Sequence, residues 1–153
     1  MAPPARPGPP AGKVPTLSEC ACFNARNAAR AITDLYDEVL APSGLRTNQF
    51  AILVAIHQRR GASMQAIAAA LGLDPSTMTR VLRPLEEAGL VATAPAESRR
   101  AKQLTLTQRG RAKLRATRSL WRQAQDRLRG TLGADIFERL VGDLTTVREA
   151  LRP

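Results

Sequence analysis

The stretch SMQAIAAALGLDPSTMTRVLRPLEEAGLV, residues 63–91, decides the fold. Ser63 is placed as an N-cap, and Ile67, Ala68 and Leu71 share one face of the short helix that follows it. Gly72 breaks that helix. Asp74 then caps the next helix, and Pro75 takes its first position, where a missing N–H costs nothing. Met78, Leu82 and Leu85 give this second helix a buried side, and Gly89 ends it. A short helix, a tight turn and a second helix have the spacing of a helix-turn-helix, in which the second helix enters a DNA groove.

Downstream, Leu90–Thr93 and Gln103–Thr107 read as two short strands. Residues 101–106 alternate apolar and polar, as a half-exposed strand does. The loop between the strands carries Arg99 and Arg100, so a β-hairpin with a basic tip follows the helix-turn-helix: a wing. Thr107 caps a long helix running to about Arg129, with Leu114, Trp121 and Leu128 on one side beside Leu120 and Ala124. After the break at 130–133, Phe137, Leu140, Leu144, Val147 and Leu151 form a last amphipathic helix.

Upstream, Ala21, Ala25, Ala28, Ile32, Leu35 and Val39 recur at helical steps from Leu17 to Leu40, and the Pro42–Gly44 turn ends that helix. Another helix starts near Thr47, whose hydroxyl is placed to cap it; Phe50, Leu53, Val54 and His57 follow before Arg59-Arg60-Gly61 closes it. Residues 1–16 hold six of the eleven prolines and read as a disordered or extended tail that builds no core.

Composition narrows the function. The net charge of +10 calls for a polyanionic partner, either nucleic acid or an acidic membrane surface. No apolar run approaches the ~18 residues that span a bilayer, and the Pro-rich start lacks the apolar segment of a signal peptide, so the cytoplasm is expected. Two cysteines, Cys20 and Cys22, are too few for a secreted disulfide scaffold. One histidine, His57, and no Cys/His cluster leave no metal site, and no cofactor motif is visible. No nucleophile–base pair, paired carboxylate or Gly-rich phosphate loop is present either, so an enzyme is not expected.

Four segments together resemble the multiple-antibiotic-resistance regulator (MarR) family of winged-helix proteins. They are Ser43-Gly44-Leu45 with Gln49-Phe50, Ala66-Ile67-Ala68 with Leu71-Gly72-Leu73, residues 75–80 with 85–91, and Ser98-Arg99-Arg100 with Leu106-Thr107. The resemblance covers about residues 17–152. It departs at Ser98, where the family pattern has an Asp that neighbouring Glu97 can replace, and at Pro84 within the recognition helix, where a kink or irregular last turn is expected. The fold implied is mainly α with a small β-hairpin wing. Residues 46–107 are the winged helix-turn-helix DNA-binding lobe, and residues 17–45 and 108–152 are dimerisation helices from both termini. The resemblance implies a homodimer, and the apolar stripes of the terminal helices agree, since one small domain covers them poorly.

Double-stranded DNA is the expected partner. Ser76, Thr77, Thr79, Arg80 and Arg83 lie beside or opposite the apolar face of the recognition helix. Arg80 suits a bidentate guanine contact, the hydroxyls suit phosphates or base edges, and the helix N-terminus adds phosphate-binding amides. Arg99, Arg100 and Lys102 belong to the wing, where arginine suits a narrow minor groove. The six basic residues Arg109, Arg111, Lys113, Arg115, Arg118 and Arg122 of the long helix keep it solvated or line a DNA-facing side. Cys20 and Cys22 are a redox or effector site, able in a dimer to crosslink subunits or hold a soft metal ion, or else small, buried hydrophobes. Relatives of this kind include thiol switches and receptors for small aromatic or phenolic ligands; Tyr36 and Trp121 are candidates to line such a pocket, and Arg26 and Arg30 to meet a carboxylate. The expected function is a sequence-specific regulator, a homodimeric repressor of a palindromic operator released by ligand or by cysteine oxidation. A non-specific nucleoid-type DNA-binding protein is the alternative.

Overall fold

The computed structural model describes residues 14, 16–94 and 103–151. The Pro-rich tail up to Lys13, the wing tip with Glu97, Ser98, Arg99 and Arg100, and Lys102 lie outside the described residues. The chain divides into two units at Asp34/Leu35.

In the first unit a 3-10 turn, Leu17–Glu19, precedes α1, Ala21–Leu40, which continues into the second unit. Thr16 Oγ1 donates to Glu19 Oε2 at 2.7 Å, and Asn24 Nδ2 donates to the carbonyls of Ser18 (3.0 Å) and Cys20 (2.9 Å). The sequence pattern had run one helix from Leu17; the side chain of Asn24 instead stitches a separate turn onto the helix start.

The second unit carries α2 (Thr47–Gln58), α3 (Met64–Leu71), α4 (Pro75–Glu87), β1 (Val91–Ala94), β2 (Gln103–Leu106), α5 (Gln108–Leu132) and α6 (Ala134–Ala150). It is a winged helix-turn-helix: mainly α, with one two-stranded antiparallel sheet. Ser63 Oγ accepts from the Ala66 N–H (3.2 Å) and Thr107 Oγ1 from the Gly110 N–H (3.0 Å), the caps their positions predicted. Thr47 behaves otherwise. Its N–H and its hydroxyl both donate to Asp37 Oδ1 at 2.7 Å, so a carboxylate on the last turns of α1 caps α2, and Thr47 is already its first helical residue. Arg46 donates to the same carboxylate at 3.1 Å. Burial pushes the Asp37 carboxyl up, but these hydrogen bonds and the Arg46 charge outweigh it and hold it below its usual range.

The α3–α4 turn depends on Gly72 at φ +65°, a left-handed conformation that glycine adopts without strain. The Leu73 N–H then closes the helix end on Ala68 O at 2.9 Å. Leu40, Ile52, Leu53, Ile67, Met78, Leu82, Leu85, Leu90 and Leu104 form the core under this turn. Met78, Leu82 and Leu85 are buried as expected, while His57 is exposed and Ile52 and Ile56 take the inner positions of α2.

The strands pair Val91 with Leu106 and Ala94 with Gln103. Gln103 also bridges Ser63, and the Leu104 N–H donates to Ala62 O at 3.1 Å, so the wing root is anchored to the start of α3. Gly110 lets α5 close on this root: a Cβ there would stand 1.9 Å from Leu90 O. The last helix is different. None of its residues is buried, and Ile136, Val141, Leu144 and Val147 are about half exposed, with Leu151 just beyond it 78% exposed.

Candidate nucleic-acid interface

Helix α4 presents one outward face made of Ser76, Thr79, Arg80, Arg83, Pro84 and Glu87. It is opposite Met78, Leu82 and Leu85, so the core sets its orientation. The helix runs through Pro84 as one element. Its end is a regular glycine cap like that of α3, not the irregular turn expected from Pro84: the Ala88 N–H donates to Pro84 O at 3.0 Å, and with Gly89 at φ +66° the Gly89 N–H returns to Glu86 O and the Leu90 N–H to Leu85 O, both at 2.9 Å. Thr93 Oγ1 donates to Glu86 Oε1 at 2.6 Å and ties β1 to this end.

The N-terminus of α4 is already occupied. Asp74 accepts four hydrogen bonds: from the N–H groups of Ser76 (3.0 Å) and Thr77 (2.9 Å), and from both of their hydroxyls (2.6 Å). The Ser76 and Thr77 hydroxyls, with the Thr77 amide, hold its carboxyl well below the usual carboxylate range. A permanent anion therefore sits where the sequence reading placed amides free for phosphate. The hydroxyl protons are committed as well, since a carboxylate can only accept. Thr79 spends its own proton on Pro75 O at 2.9 Å. These three side chains thus offer lone pairs outward, which suit base amino groups better than phosphate oxygens.

Arg83 Nε is paired with Glu87 Oε1 at 2.8 Å, one turn on, whereas Arg80 has no ion pair among the described residues. Arg80 is thereby the freer cation of this face. Cys20 and Cys22 are both exposed, not buried hydrophobes, and neither forms a disulfide among the described residues. Cys20 stands just before α1 and its Sγ accepts from the Phe23 N–H at 3.5 Å, while Cys22 is inside the helix. Arg26 and Arg30 are exposed in the same unit.

A cavity of about 790 Å³ lies between α2 and α5. Tyr36, Phe50, Val54, Leu114 and Trp121 make its apolar walls, and Arg111, Arg115, Arg118 and His57 add polar groups. Burial pushes the Tyr36 hydroxyl up, keeping it neutral. Tyr36 and Trp121, which helical spacing assigns to the core more readily than to a pocket, line it here, whereas the three arginines were expected to face solvent or DNA. Their 111, 115, 118 spacing already puts them on one helical face. Arg109 and Lys113 face a separate cleft beside Gln49 and Pro84.

Residues 45–102 match the model of the MarR family. The HTH-type transcriptional repressor Rv2887 of Mycobacterium tuberculosis is 38% identical over 96 residues, 62% of this chain and 69% of the relative. The solved structure of the M. tuberculosis transcriptional regulator MosR in complex with DNA is 35% identical, covers 88% of this chain and 100% of that one, and has a TM-score of 0.73. The transcriptional repressor CouR bound to p-coumaroyl-CoA is 28% identical over 90% of this chain and 97% of its own, with a TM-score of 0.78.

Proposed function

The chain belongs to the MarR family of winged helix-turn-helix transcription regulators, and from that premise we propose that it is a homodimeric repressor of a palindromic operator. The observation that carries this reading is the outward face of α4, with Arg80 in no ion pair among the described residues and hydroxyl acceptors beside it. In the proposed complex α4 lies in the major groove and Arg80 reads guanine, while Ser76, Thr77 and Thr79 accept from base amino groups and Arg83 meets phosphate. Arg99, Arg100 and Lys102 of the wing reach the adjacent minor groove. No single helix among the described residues is long and apolar enough to cross a membrane, and the cytoplasm is the proposed location.

A second copy of the chain is the proposed cover for the apolar stripe of α6, from Ile136 through Leu144 to Leu151. Residues 17–45 contribute their own stripe to that interface. Release is proposed through a small aromatic or phenolic effector in the cavity between α2 and α5, in keeping with a relative crystallised with p-coumaroyl-CoA. Oxidation of exposed Cys20 and Cys22, crosslinking subunits, is the other proposed trigger. Selection of duplexes from a random pool by the full-length protein tests the reading. Enrichment of an inverted repeat is expected, with one dimer bound per site; a pool that stays random supports non-specific, charge-driven binding instead.

A further inference from the structure

Arg111 belongs to two places at once. It lines the cavity between α2 and α5, and its Nη1 donates to Leu106 O, on the last residue of β2, at 2.6 Å. With His57 it also borders a smaller cleft that opens along residues 104–106. Among the described residues no carboxylate lines the larger cavity and no ion pair uses Arg111, Arg115 or Arg118. The cavity therefore offers apolar walls and cationic groups without counter-charge, which fits an organic anion with an apolar body.

We infer that Arg111 couples that cavity to the wing: the anionic group of a bound effector draws the guanidinium away from Leu106, and the wing root loosens. The inference rests on the reading that the cavity holds an effector. Its driving force is the difference between two acceptors. The Leu106 carbonyl accepts one bond and carries no charge, whereas a carboxylate or sulfonate accepts two parallel bonds from guanidinium and neutralises its charge. The bond given up lies at a junction. Thr107, the next residue, donates its N–H to Leu90 O at 3.1 Å and its hydroxyl to Gly89 O at 2.6 Å, at the exit of α4. Loss of the Leu106 bond therefore acts where β2, the end of α4 and the start of α5 meet, while the far end of β2 stays anchored through Ala62 and Ser63.

The test uses 8-anilinonaphthalene-1-sulfonate, a fluorescent aromatic anion, with hydrogen exchange of the full-length protein followed at residues 103–107. In the wild type the dye should brighten and speed exchange there about tenfold, the effect of losing one charged hydrogen bond. Arg111→Met should show the faster exchange without dye and no further change with it. Arg118→Met should weaken dye binding yet leave dye-free exchange at β2 slow, which separates a lost wing bond from lost cavity charge. If Arg111→Met keeps wild-type protection, or if the dye binds and speeds exchange equally in that variant, the coupling is overturned while the effector reading stands. An absent dye signal, or one that survives filling of the cavity by Ala51→Trp, overturns the effector reading itself.

Discussion

Asp74 shows how one carboxylate shapes the proposed reading surface. By taking both N–H groups and both hydroxyl protons of Ser76 and Thr77, it turns those side chains into acceptors. Replacing Arg80 by Ala should then cost about 1–3 kcal/mol of discrimination at a single base pair, measured as relative affinity for operators changed at each position. Loss spread evenly over all positions would instead mark Arg80 as a phosphate contact. Asp37 and Asp74 both ionise more readily folded than unfolded, so their contribution to stability is complete above the unfolded value near pH 4 and fades as pH falls through the lower folded values. The double variant Asp37→Asn with Asp74→Asn should therefore have a flatter loss of melting temperature below about pH 4 than the wild type. Parallel acid limbs would refute that assignment. The capping of α4 was readable because Asp74 acts on its next three residues. The capping of α2 was not, because Asp37 acts from ten residues upstream and only the packed α1–α2 corner brings it there.

At the scale of elements, the close approach of α5 to the wing root is the tightest constraint. Gly110→Ala puts a methyl into Leu90 O, a backbone atom that cannot step aside, so unfolding free energy should fall by about 1–3 kcal/mol or more in urea titrations. Pro84 is the converse case. It sits in an exposed turn of α4 and supplies no N–H for Arg80 O, so Pro84→Ala should raise stability by about 1–2 kcal/mol, the helix-propensity gain less the greater freedom of the unfolded chain. The helical periods, the Gly72 turn and the wing strands were legible because each is a local pattern. Arg111, Arg115 and Arg118 were not legible as cavity residues: a charge on a helix reads as solvated until the neighbouring helix is in place, and here α2 forms the opposite wall.

For the whole molecule, the apolar stripe of α6 and the charge of +10 carry the argument. Leu144→Glu places a charge in the middle of that stripe and should leave monomers by sedimentation where the wild type sediments as the proposed dimer, weakening operator binding with it; a dimer in both would move the interface elsewhere. Charge alone explains attraction to any duplex, and that part must weaken steeply with salt. Sequence recognition must persist beneath it. The decisive measurement is the affinity of the full-length protein for a duplex selected from a random pool and for a scrambled duplex of equal length, across a salt series. A preference of about a thousandfold or more at physiological salt is predicted. Equal affinity for the two duplexes at every salt concentration would contradict the account.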